Sequence, residues 1–122
     1  MSVRDDAVEA EPRRRTTYLH VTQMATLDHW CSWIFRAFGD PPYLVGSVLT
    51  RPDWRDVDLR LILPDDKYDA LPCDPKIMNV AFSVWGQQAT GLPIDFQFQQ
   101  QSAANAEFDG LRHPRGIGAS GE

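Results

Sequence analysis

The chain has 122 residues and a formal net charge of −5, enough for one domain with one core and too little for a catalytic domain beside a separate substrate domain. The acidic balance argues against a duplex-DNA surface, and the lack of any run of about 20 apolar residues argues against a membrane-spanning helix. Cys31 and Cys73 have neither metal-knuckle nor redox-pair surroundings, so they read as reduced thiols of a cytoplasmic protein.

Residues 1–15 read as a disordered lead. Asp5, Asp6, Glu9 and Glu11 balance Arg4, Arg13, Arg14 and Arg15, and apolar residues are few. No apolar segment stands behind these charges, so they do not form a secretory signal. The domain is expected over residues 16–108. Residues 17–23 alternate weakly and fit either a short strand or the lead-in to a helix.

From Thr26, a plausible N-cap, the pattern sharpens. Leu27, Trp30, Cys31, Ile34, Phe35 and Phe38 fall on one face of an amphipathic helix, ended by Gly39 and the prolines that follow. Tyr43-Leu44-Val45 reads as a short buried strand that stops at Gly46-Ser47. Residues 48–55 form a loop or a brief helical turn. Residues 56–63 are the clearest strand: Val57, Leu59, Leu61 and Leu63 point one way, and Asp56, Asp58, Arg60 and Ile62 the other.

A polar connection runs over residues 64–73. Asp74-Pro75 then supplies an N-cap and a first-turn proline. Ile77, Val80, Ala81, Val84 and Trp85 make a second apolar helical stripe, stopped by Gly91. Trp30, Trp33 and Trp85 read as core or helix-packing residues. Residues 92–99 alternate again, with Ile94, Phe96 and Phe98 against Asp95, Gln97 and Gln99. Beyond Gln101 the pattern fades, and residues 109–122 read as a flexible tail. The order is helix, strand, loop, strand, helix, strand. That predicts a small α/β (α+β) domain: a mixed sheet with helices packed on one face.

Asp56 and Asp58 lie two apart on a strand and share a face. Asp95 sits on the polar face of another strand. If the strands are neighbours, three carboxylates converge and raise one another's pKa, a repulsion that a divalent cation resolves. Hard oxygen ligands suit Mg²⁺ or Mn²⁺. Gly46 at a strand end lets backbone approach a ligand closely, and Ser47 beside it could hold a phosphate. His20, His29 and His113 show no metal-ligand spacing. Trp54 is either a core plug or a base-stacking residue.

Val45-Gly46-Ser47, Asp56-Val57-Asp58-Leu59 and Ile94-Asp95-Phe96 together resemble the nucleotidyltransferase superfamily related to DNA polymerase beta. The resemblance covers roughly residues 27–99. It implies Asp56, Asp58 and Asp95 as catalytic metal ligands, with Asp95 helping to activate the attacking hydroxyl. It implies Gly46 and Ser47 as phosphate binders, and Arg51, Arg55 and Arg60 as candidates for triphosphate contacts. Arg55 and Arg60 stand where many members carry small or apolar residues. The chain is most similar to minimal single-domain members, which often work with a partner chain or as homodimers. The expected activity is transfer of a nucleoside monophosphate from an NTP to a hydroxyl acceptor. A non-catalytic module of the same fold, a regulatory subunit or antitoxin-like partner, is the alternative.

Overall fold

A computed structural model describes residues 17–107. Helix α1 (Val21–Phe38) leads into strand β1 (Tyr43–Val45), a 3-10 helix (Gly46–Leu49) and strand β2 (Val57–Leu63). Helices α2 (Asp65–Asp69) and α3 (Pro75–Thr90), strand β3 (Ile94–Gln100) and helix α4 (Gln101–Glu107) follow. The class is the mixed α/β one that the alternating segments predict.

The sheet order is β1-β2-β3. β1 runs antiparallel to β2, with Val45 opposite Asp58 and Tyr43 opposite Arg60. β3 runs parallel to β2, with Asp58 opposite Asp95 and Arg60 opposite Gln97. Parallel neighbours need a crossover, and α2 and α3 provide it. Alternation along β2 and β3 then separates two faces. Val57, Leu59, Leu61 and Leu63 are buried with Ile94, Phe96 and Phe98 beneath α1 and α3. The opposite face carries Asp58, Arg60, Asp95 and Gln97.

Helix α1 starts five residues before Thr26, so residues 17–23 are helix lead-in rather than strand. His20 occupies the cap position, and its N–H donates to Gln23 Oε1 at 2.8 Å. Thr26 instead lies inside the helix, where its hydroxyl donates to Thr22 O. Leu27, Trp30, Cys31 and Ile34 are buried as the periodicity requires. Asp74 caps α3 by accepting the Lys76 N–H at 2.9 Å.

Two short helices lie where only irregular chain is expected. α2 opens the polar connection after Pro64. α4 follows β3 without a break, where the pattern fades, and Ala104 is fully covered. Both are five to seven residues long, too short for 3.6-residue periodicity to register.

Helix α3 differs from the sequence reading in its orientation. Ile77, Val80, Val84 and Trp85, the strongest apolar positions, are exposed. The sheet-facing side is Met78, Phe82 and Gly86, flanked by Asn79, Ser83 and Gln87. The reason lies in the edge strand. Asn79 Oδ1 accepts the Phe98 N–H at 2.8 Å, Ser83 Oγ accepts the Phe96 N–H at 2.8 Å, and Gln87 Nε2 donates to Ile94 O at 3.0 Å. β3 is an outer strand, and its outward backbone groups would otherwise be orphaned or open to another strand. One polar column at four-residue spacing closes that edge and sets the helix's rotation.

The core between these layers is aromatic. Trp30 meets Trp85 and Phe96 edge-on at 5.3 and 5.8 Å between centroids. Phe82 and Phe98 do so at 5.0 Å, and Phe38 and Phe98 at 5.4 Å. Such pairs add about 0.5–1.5 kcal/mol each beyond area burial. Trp54 packs partly buried against the hydrophobic core, the core-plug alternative for that residue. Trp33 is exposed, its ring covered by the Arg36 guanidinium at 5.1 Å.

Candidate carboxylate site

The register assembles the site at one end of the sheet. Asp58, near the start of β2, faces the last residue of β1 on one side and Asp95 on the other. Gly46 follows that last residue and turns the chain into the 3-10 helix with φ +83°. Its bare Cα rests against the Asp58 side chain: an added Cβ would lie 3.2 Å from Asp58 Cγ and run into the carboxylate oxygen. Glycine at this position therefore serves two ends, a left-handed turn and a carboxylate seat that no other residue leaves open.

Burial pushes the Asp58 carboxyl up, from its ordinary 3.8 to about 6. The Arg60 guanidinium opposes this. Asp95, by charge and by a shared hydrogen bond, and Asp56, by charge alone, add to it. Asp58 and Asp95 thus form a close pair. Asp56 lies just outside β2, exposed to solvent, and acts on Asp58 more weakly. Among the described residues no group of three or more His, Cys, Asp or Glu side chains is arranged to hold a metal ion. The donor set is nonetheless of the hard-oxygen kind that suits Mg²⁺ or Mn²⁺. The crowded Asp58–Asp95 pair is the part of it that added positive charge would relieve.

Arg60 shares the face with these acids. Its Nη1 donates to Leu59 O at 3.1 Å, and its Nε is buried without a partner among the described residues. Ser47 lies beside Gly46 in the 3-10 helix, where its carbonyl accepts the Thr50 and Arg51 N–H groups at 3.0 and 2.8 Å. Arg51 is turned to Asp53, with Nε and Nη2 on the two carboxylate oxygens at 3.0 and 2.8 Å, in an exposed loop. Arg55 is exposed immediately before Asp56. The structure therefore groups Gly46, Asp58, Asp95 and Arg60, sets Asp56 and Arg55 at the margin, and gives Arg51 a partner of its own.

A shallow groove of about 280 Å³ opens beside Asp95, lined by Gln97 and by Asn79, Ser83 and Gln87 of α3. Sequence reasoning passes over these three polar residues because they interrupt an apolar stripe. Their spacing of four was the available signal. No protein-family model, curated protein or solved structure matches the chain.

Proposed function

We propose that this domain binds a nucleoside triphosphate with a divalent cation and transfers its nucleoside monophosphate to a hydroxyl acceptor, the acceptor oxygen bonding to the α-phosphorus as pyrophosphate leaves. The supporting observation is the pair Asp58–Asp95, aligned by strand register, seated on Gly46 and crowded enough to lift the Asp58 carboxyl to about 6. Asp58 and Asp95 would hold the cation, with Asp56 at the exposed side. The cation would supply charge neutralisation on the triphosphate. Gly46 seats the Asp58 carboxylate, Arg60 would offer the triphosphate a guanidinium, and Asp95 would take the acceptor's proton. We assign the protein to the cytoplasm on its two free thiols, Cys31 and Cys73.

One observation favours a second reading, a non-catalytic module on the same fold. Arg60 already places a positive charge beside Asp58, and a cation held by the protein itself can stand where a metal would. Calorimetric titration with Mg²⁺ or Mn²⁺ and each NTP, followed by transfer of labelled nucleotide, separates the two. The enzyme reading expects metal-dependent NTP binding that Asp58→Asn and Asp95→Asn each abolish. Absence of such binding at millimolar ligand sinks it. Binding without transfer to any hydroxyl acceptor supports the module.

A further inference from the structure

We infer that the opening between α1 and α3 is a binding site for a small, uncharged, planar aromatic molecule that carries a hydrogen-bond acceptor. The opening holds about 370 Å³ and is lined by Thr26, His29, Trp30 and Trp33 of α1 and by Trp85 and Ala89 of α3. Ligand sites span about 300–1,000 Å³ and are mostly apolar and aromatic with a few polar groups, so this one suits a small ligand. The α1 residues fall at i, i+3, i+4 and i+7 and the α3 residues at i and i+4, so each helix contributes one stripe. Facing stripes of packed helices ordinarily interdigitate and leave few voids. Here Thr26 and Ala89 are short beside three tryptophans, and the space between the indoles stays open.

Trp30 defines what the ligand must offer. It is 2% exposed, and its Nε1–H is buried with no hydrogen-bond partner among the described residues. A buried indole N–H usually finds an acceptor, and one left without it keeps its full desolvation penalty. An acceptor atom on a bound ring would supply that bond. Trp30 and Trp85 stand at 78° with centroids 5.3 Å apart. A flat ring stacked on one of them meets the other edge-on, and both are favoured aromatic geometries. Trp33 and Trp85 are 50% and 43% exposed, so two large apolar rings stand in water beside the opening and would be covered by such a ligand.

Charge decides against an ion. Indole faces attract cations, but Arg36 already holds its guanidinium over Trp33, 5.1 Å from the ring centre, and no carboxylate lines the opening. An anion fares no better, because neither Lys nor Arg lines it and the chain carries −5. The opening shares no lining residue with the groove beside Asp95, so the inference stands apart from the nucleotide reading.

Two bicyclic probes of similar shape test it on the full chain at neutral pH: quinoline, whose ring nitrogen accepts a hydrogen bond, and indole, whose ring nitrogen donates one. In proton–nitrogen NMR, quinoline is expected to bind saturably at millimolar concentration and to shift the Trp33 and Trp85 indole N–H signals. The Trp30 signal should move downfield as its N–H gains an acceptor. Indole should bind at least about tenfold more weakly, since it leaves that donor unpaired. Ala89→Leu, which fills the opening from the surface, and Trp33→Ala, which removes an exposed wall, should each weaken quinoline binding at least about tenfold while far-UV dichroism stays unchanged. Absence of saturable shifts overturns the inference, and so does equal affinity for the two probes. Tighter binding of benzyltrimethylammonium would make this a cation site and overturn it too. Quinoline binding that both variants leave intact lies elsewhere on the chain and has the same consequence.

Discussion

Asp58 illustrates how one residue carries opposite demands. A carboxyl lifted from 3.8 to about 6 by burial and by Asp95 binds its proton more tightly in the folded chain than in the unfolded one. Its protonated form therefore favours the fold at low pH, and that contribution is lost as pH rises through about 6. With metal withheld, the Asp58→Asn variant should match the wild type near pH 4 and exceed it in stability at pH 7. Urea denaturation at the two pH values reads the difference. Wild-type stability equal to the variant's at both would mean that Asp58 is not crowded. Mg²⁺ should lower the Asp58 carboxyl's titration midpoint in carbon-detected NMR if the pair holds the cation. That outcome, a carboxyl that weakens the metal-free fold and is relieved by Mg²⁺, would mark function rather than packing.

At the scale of elements, α3 does three things with three sides. Met78, Phe82 and Gly86 close the core, Asn79, Ser83 and Gln87 close the edge of β3, and Ile77, Val80 and Val84 are left outward. Ser83 holds the middle of the edge, accepting from Phe96 N–H at 2.8 Å. Ser83→Ala removes that acceptor and leaves a partly buried N–H unpaired, at a cost of about 1–3 kcal/mol. Hydrogen exchange should show the Phe96 amide losing protection while the inner amides of β2 keep theirs. Uniform loss along both strands would mean instead that Ser83 supports the sheet as a whole. This side of α3 is hard to read from sequence, because hydrophobic periodicity sees Ser83 and Asn79 as gaps. Their acceptors become necessary only once β3 is known to be an outer strand. α1 shows the contrast. Its buried face, Leu27, Trp30, Cys31 and Ile34, is apolar throughout, so periodicity locates it directly.

For the molecule as a whole, the packing between layers is tight where α1, α3 and the sheet meet. A Cβ on Gly86 would stand 2.7 Å from Trp30 Cη2 and 3.0 Å from Ile94 Cγ2. Gly86→Ala in a free helix would gain about 1 kcal/mol of propensity. Here it must displace a buried tryptophan in a packed core, which costs about 1–3 kcal/mol or more. The clash wins, so the variant should melt lower, by several degrees in a domain this size. A higher melting temperature would show that the layers can separate without loss.

The amino-acid sequence by itself determined the types of the long elements, the two alternating strands, the inner face of α1 and the residue types of the candidate site. These follow from local periodicity and from residues that have few other uses, such as Gly46 at a strand end and acids two apart on a strand. Only the tertiary structure decided that β3 lies parallel beside β2 with Asp95 opposite Asp58. Register is a long-range property, set by which apolar faces meet and not by either strand alone. It also decided that Asp56 stays at the solvent edge, that Arg51 turns to Asp53, and that α3 shows its apolar stripe outward. The first two turn on local chain conformation that periodicity does not encode; the last depends on a neighbour distant in sequence, an edge strand whose N–H groups need acceptors more than Val80 needs burial.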